Sequence, residues 1–462
     1  MFVGRKPEMA RLEEMYNSGH FEFAVIYGRR RVGKTTLVNE FCRGKKTIYF
    51  VGIESTEKEN LERLSKAVLE VSFPGADLPP FPTFDALFDH VHHMASKERV
   101  VLFIDEYPYL AQAKPAVSSI LQAYVDRWFK DGKLFLILCG SSMSFMEHQV
   151  LGARSPLYGR RTAQFKVLPF TFFETREMLP SFPSESQAVI FGATGGIPEY
   201  LSRIEGRLSL KENLVRLFLR PSGRLFEEPS NLLKQELRDP AAYNAIITAI
   251  AEGASRQADI SGKVGITASA CSNLLSSLIA LGLVRKDIPV TESVSRRTVY
   301  VLDDPMFRFW YRFVYPNLNS LMAGHADEVY ETKVLPQLEA FTGPVFERIC
   351  LEYLTRRLLP DELPFWSSHV GRWWGTNPST LKEMEIDILA YEGDQALFCE
   401  CKWTNRLVGL DCLNSLRAKS GLFPHEDRYY HLFAKRGFTT GCREAAAADP
   451  KVKLICFEEL CR

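Results

Sequence analysis

The chain has 462 residues, 46% of them hydrophobic and 24% charged, with a formal net charge of +1. That length exceeds one ordinary core and implies two to four domains, and the composition excludes a disordered or fibrous chain. The near-neutral balance excludes a globally basic nucleic-acid coat, so any basic surface must be local.

The ten cysteines contain no CxxC pair, and the closest two, Cys399 and Cys401, suit neither a zinc ribbon nor a thioredoxin-like site. Free buried thiols in a reducing cytosol are the expectation. The opening residues have no long apolar stretch, and no segment approaches the length of a membrane span. A cytoplasmic protein with no membrane partner is expected.

In chain order, residues 1–167 alternate apolar runs, at 23–27, 47–51, 100–104 and 134–139, with helical stretches. Short apolar runs in that rhythm predict a mainly parallel sheet covered on both faces. Between the first run and a helix predicted over 35–42 lies Gly28-Arg29-Arg30-Arg31-Val32-Gly33-Lys34-Thr35-Thr36. G-x-x-x-x-G-K-[ST] between a strand and a helix is a phosphate-binding loop. Its glycines let successive backbone N–H groups and the helix N-terminus face an anion. Gly28, Val32, Gly33, Lys34, Thr35 and Thr36 would surround a nucleoside triphosphate, with Lys34 on its β- and γ-phosphates and the Thr35 hydroxyl on Mg²⁺.

The run at 100–104 ends in Asp105-Glu106. A hydrophobic strand ending in Asp is the Walker B arrangement, in which Asp105 holds Mg²⁺ through its hydration shell and Glu106 polarises the attacking water. The run at 134–139 ends in Gly140-Ser141, where Ser141 could hydrogen-bond the γ-phosphate or the water. Arg160 and Arg161 could bring positive charge to the transferring phosphoryl, or simply form surface salt bridges. His90, His92 and His93 cannot all share one helix face, and no metal site is expected there.

Residues 168–239 read as a helical lid with Gly195-Gly196-Ile197-Pro198 before its next helix. Residues 240–303 read as helix–helix–helix–hairpin, the pattern of a winged helix, with Thr267 capping the third helix and Leu274, Leu275, Leu278 and Ile279 inward. Ser269, Ser272 and Asn273 could touch DNA there, with Arg296 and Arg297 on phosphates; an intramolecular clamp is the equal alternative. In residues 304–462, Met306, Phe307, Phe309, Trp310, Phe313 and Val314 recur at helical spacing and predict buried packing.

Further on, residues 384–391 and 396–403 alternate as a hairpin about a turn at 392–395. Period two puts Glu400 and Lys402 on one face, with Asp387 able to face them across the pair. Charges amid apolar strands are expensive unless paired, metal-bound or exposed. Glu347 sits upstream on an amphipathic helix.

Two resemblances emerge from these residues. Phe2-Val3-Gly4-Arg5 with Glu8, the Walker runs, Gly140-Ser141, Gly195-Gly196-Ile197-Pro198 and the winged helix together resemble AAA-type ATPases of the STAND superclass. Their order is similar to archaeal-type ATPases carrying a C-terminal DUF234 domain. The resemblance implies ATP rather than GTP, Arg5 near the adenine base, and a switch-like or oligomer-dependent ATPase with a possible homo-oligomer. Glu347…Asp387…Glu400-Cys401-Lys402 resembles the PD-(D/E)XK nuclease site. Asp387 and Glu400, with Glu347 completing the shell, would offer hard oxygens to Mg²⁺ or Mn²⁺, and Lys402 would orient a water or neutralise charge.

The expected class is therefore α/β: a P-loop NTPase parallel sheet with a helical lid, a winged helix and a C-terminal α/β restriction-endonuclease-like domain. The expected function is ATP hydrolysis coupled to a metal-dependent nuclease-like domain acting on DNA. The alternative is a non-nucleolytic, ATP-dependent DNA-binding switch.

Overall fold

The structure, a computed structural model, describes residues 2–293, 297–358, 362–378 and 380–462. It divides into two compact units, Met1–Pro169 with Ile197–Glu199, and Phe170–Gly196 with Tyr200–Arg462.

In the first unit, five parallel strands run β1 (Glu22–Tyr27), β2 (Thr47–Val51), β3 (Val100–Asp105), β4 (Leu134–Gly140) and β5 (Ala163–Lys166). Their spatial order is β2-β3-β4-β1-β5. All of β3 and β4 and most of β1 are buried, as near-continuous apolar runs require when helices cover both faces. The edge strand β2 differs: it alternates, leaving Tyr49 and Val51 exposed. The other edge, β5, alternates half-buried and exposed residues and gave too weak an apolar signal to be foreseen. The consequence for function is positional. β4 lies between β1, which feeds the phosphate loop, and β3, which ends in Asp105, so the end of β4 stands beside both.

The second unit contains the segments read as lid, winged helix and C-terminal domain. Helix Phe172–Met178 starts at a capping box of Thr171 and Glu174. Helix Ser184–Thr194 packs against Leu338–Glu352 at Gly192, where a Cβ would lie 2.7 Å from Val345 Cγ2. Helices Pro240–Ala251, Gln257–Val264 and Ala268–Ala280 lead into the antiparallel pair β6 (Val284–Asp287) and β7 (Val299–Leu302). Thr267 caps the third helix, accepting from Ala270 N. Leu275 and Leu278 point inward as expected, but Leu274 is only half-buried, Ile279 is exposed, and Cys271 takes the third inward place. The aromatic face from Met306 to Val314 is buried core.

The C-terminal sheet is mixed. Its strands are β8 (His369–Thr376), β9 (Glu383–Glu392), β10 (Gln395–Lys402), β11 (Asp427–Ala434) and β12 (Val452–Cys456), in the order β12-β11-β10-β9-β8. The pairs β8/β9 and β9/β10 are antiparallel, and β10/β11 and β11/β12 parallel. Leu413 and Leu416 of helix Leu410–Ser420 join Ala396 and Phe398 in the core on one face of β10. On the other face, the Cys401 thiol meets Cys350 of helix Leu338–Glu352.

Candidate functional site

The phosphate loop is held open by backbone shape. Gly28 has φ +154, and a Cβ there would collide with the Val167 carbonyl; Gly33, at φ +87, forms the N-cap of helix Lys34–Phe41. Those are conformations that only glycine adopts without strain. Lys34 is buried, and its Nζ donates to the carbonyls of Gly28 (2.9 Å) and Arg29 (3.0 Å), so the ammonium lies along its own loop. Burial pulls its pKa below the ordinary lysine value.

Thr35 Oγ1 donates to Asp105 Oδ2 at 2.6 Å, bringing the Walker A hydroxyl and the Walker B carboxylate together across the sheet. Glu106 follows in the left-handed region at φ 46, a strained conformation for a non-glycine residue. Its carboxylate accepts from Ser141 Oγ at 2.8 and 2.9 Å. Ser141 therefore holds Glu106. Thr36 follows Thr35 in the first turn of the helix.

Arg5 is buried and donates to Val32 O at 3.0 Å and Leu168 O at 2.5 Å, with Glu8 at 3.5 Å. It thus braces the phosphate loop from behind. Glu199 N donates to Arg31 O at 3.5 Å, and Pro198 lies near Gly33, so Ile197–Glu199 belongs beside the loop. Arg160 makes a bidentate ion pair with Asp126 at 2.7 and 2.8 Å, the surface arrangement weighed against a catalytic arginine.

In the second unit, Glu400 and Lys402 share a face as period two requires, and Lys402 Nζ lies 2.5 Å from Glu400 Oε1. The other carboxylate oxygen accepts from Lys419 Nζ at 2.9 Å. Burial opposes the charge on Glu400, yet the two lysines outweigh it and hold the carboxyl below its ordinary value. Lys419, on helix Leu410–Ser420, lies too far along the chain for any spacing rule to link it to Glu400.

Asp387 does not follow simple alternation. Gly371 pairs with Leu389 while Trp373 pairs with Ile386, so β9 carries one extra residue at Asp387-Ile388 opposite Arg372. Such a bulge re-aims a side chain and often sits beside a functional site. Asp387 Oδ2 accepts from Cys401 N at 2.7 Å, and Asp387 shares a cleft lining with Glu347. Burial, reinforced by the charge of Glu400, raises Asp387 to about 6; burial, reinforced by Asp387, raises Glu347 to about 7. Among the described residues no group of three His, Cys, Asp or Glu is arranged to hold a metal ion. The expected shell of Glu347, Asp387 and Glu400 is thus drawn apart, with Glu400 turned to its lysines.

The segment read as a winged helix is engaged within its own unit. Val290 N donates to Arg372 O (3.0 Å), Arg297 Nη1 donates to Trp374 O (2.8 Å), and Trp374 Nε1 donates to Arg297 O (3.2 Å). Arg296 lies outside the described residues.

Residues 2–204 match a family described as an ATPase domain predominantly from Archaea, and residues 310–417 match DUF234, archaeal and bacterial proteins of unknown function. An uncharacterized protein of Methanocaldococcus jannaschii is 33% identical over 445 residues, covering 94% of this chain and 96% of that protein. An uncharacterized ATP-binding protein of the same organism is 48% identical over 46 residues, covering 10% of this chain and 78% of that protein. The Walker-type ATPase of Pyrococcus abyssi shares the fold, with a TM-score of 0.53 at 20% identity, over 67% of this chain and 96% of that one. No helix among the described residues is long and apolar enough to cross a membrane.

Proposed function

Because the chain belongs to the family of predominantly archaeal ATPases with a C-terminal DUF234 region, we propose that its ATPase unit governs a metal-dependent nuclease built on β9 and β10. In the ATPase unit, an arriving triphosphate supplies the acceptors that draw Lys34 off the Gly28 and Arg29 carbonyls. Glu106, aimed by Ser141, takes the proton of the attacking water. Thr35 and Asp105 are hard oxygen donors already in contact, a set that fits Mg²⁺. Bound there, the ion neutralises phosphate charge.

The nuclease reading is carried by one observation: the bulge in β9 turns Asp387 to the cleft that also holds Glu347, and both carboxyls are raised by burial and like charge. Glu347 and Asp387 are half-buried acids that a divalent ion would relieve, and Glu400 would join them only by leaving its lysines. When bound, such an ion would supply an activated water and stabilise developing charge. Lys402, beside Glu400 on β10, would release that carboxylate and supply a positive charge to the phosphate. Water adds to phosphorus, the phosphodiester P–O bond breaks, and the departing oxygen takes the proton.

The non-nucleolytic switch keeps a specific support of its own. Glu400 is already neutralised by two lysines, and the wing is bonded to β8 rather than presented outward. The test is cleavage of plasmid and single-stranded DNA with Mg²⁺ or Mn²⁺, with and without ATP, comparing wild type, Lys402→Ala and Lys34→Ala. Cleavage lost in Lys402→Ala and altered in Lys34→Ala is expected. Hydrolysis of ATP with no cleavage under any condition selects the switch.

A further inference from the structure

The second unit contains a cleft of about 950 Å³ between winged-helix residues, helix Leu338–Glu352 and strands β8 and β9. Glu347 and Asp387 line it, and so do Arg308 and Arg312. Arg308 is half-buried; it donates to Phe341 O at 3.0 Å and lies over the Phe341 ring. Arg312 is exposed and bonds only weakly to Gln337, at 3.2 and 3.4 Å. Among the described residues neither arginine is paired with a carboxylate, whereas the neighbouring Arg285 and Arg372 are.

Burial pulls Arg308 down to about 10 against the opposing charges of Glu347 and Asp303. Its planar fork suits a phosphate better than any other common anion except a carboxylate. A phosphate there would stand in the same cleft as Glu347 and Asp387.

The dimensions choose among nucleic acids. A pocket of this size is on the scale of small-ligand sites, about 300–1,000 Å³, with room for roughly two or three nucleotides. That volume does not enclose a duplex, whose major groove alone is about 12 Å wide. The cleft is also bounded by Val290 and Trp374, which the wing bonds hold in place. Trp374, half-buried at the cleft, offers an indole for the base stacking that single-strand sites use.

We propose that this cleft binds a short single-stranded phosphodiester, as the end of a strand or as a free dinucleotide, with Arg308 and Arg312 on its phosphates. The proposal rests on the nuclease reading for the chemistry that follows binding, but not for binding itself. A single-strand end, not the interior of a duplex, is then the substrate class of the β9–β10 site.

The test uses the full chain carrying Lys402→Ala, so that ligand survives, and follows the anisotropy of a labelled short oligothymidylate across a salt series. Binding is expected, with blunt duplex failing to compete. Arg308→Gln should weaken it about tenfold and lower the salt slope by about one, with Arg312→Gln acting in the same direction. Arg312 is exposed, so its variant keeps the test valid should Arg308→Gln fail to fold. Unlabelled pTpT competing as well as the oligomer assigns the site to a free dinucleotide; competition only by longer strands assigns it to a strand end. Duplex binding as tightly as single strand, or unchanged affinity in both variants, overturns the proposal. A wild-type protein that binds the strand yet cleaves nothing with Mn²⁺ refutes the nuclease reading and leaves the ligand class standing.

Discussion

Asp387→Asn isolates the energetic cost of the acid cluster. The carboxyl is raised from 3.8 to about 6 by burial and then by Glu400. A rise of about two pH units, at 1.36 kcal/mol each, corresponds to about 3 kcal/mol, and partial solvent access brings the expectation to about 1–3 kcal/mol. The sign follows from proton binding. Between pH 3.8 and about 6 the folded chain holds the proton more tightly than the unfolded one, so this group's stabilisation is full below that window and is lost as pH rises through it. Asparagine never ionises, and its amide oxygen still accepts from Cys401 N. In EDTA, urea unfolding should give equal stabilities near pH 4 and a variant about 1–3 kcal/mol more stable at pH 7.5. Mg²⁺ or Mn²⁺ should then stabilise wild type and not the variant. A variant less stable than wild type at pH 7.5, or a difference independent of pH, would refute the reasoning.

Ser141→Ala frees Glu106 from its two contacts at 2.8 and 2.9 Å, and steady-state ATPase assays should show kcat reduced about tenfold with KM little changed. Gly192→Ala should destabilise by about 1–3 kcal/mol in denaturant titration, because the new Cβ meets Val345 Cγ2; the stabilisation usual for this change in a helix would contradict the packing described. Lys419→Met leaves Glu400 with one lysine. Glu400 is held below its ordinary value, so the stabilisation exists above pH 4.5 and fades as pH falls; the variant should lose about 1–3 kcal/mol at pH 7 and progressively less on acidification, read by thermal unfolding.

Local signals made the ATPase unit legible. The phosphate loop, Asp105 and the four long apolar runs depend on neighbours in sequence, and β1–β4 lie where those runs predict. Position in the sheet is not local: nothing in residues 47–51 announces that β2 is an edge, so the exposure of Tyr49 and Val51 needed the structure. The hairpin of β9 and β10 was equally readable, because alternation is a two-residue signal. Its site was only partly so. Period two assumes an uninterrupted ladder, and the extra residue at Asp387-Ile388 breaks it against a strand, β8, that pattern reading did not find. Lys419 reaches Glu400 through tertiary packing alone. Ile279 obeyed helical spacing yet faces solvent, because Cys271, Leu275 and Leu278 already fill the inward side of their helix.

The wing bonds bear on how fast a ligand could enter, should entry need the wing released. Three hydrogen bonds, Val290 to Arg372 and the reciprocal pair between Arg297 and Trp374, tie the wing to β8. At about 1 kcal/mol net each, they favour the tethered wing over a released one by about 3 kcal/mol, or roughly a hundredfold. A ligand that enters only past a released wing meets the receptive form about one per cent of the time, and its apparent Kd is inflated by the same factor. Association would then level off at the wing's opening rate as ligand concentration rises, instead of climbing in proportion to it. Weakening the tether would quicken capture without touching a single group that holds phosphate.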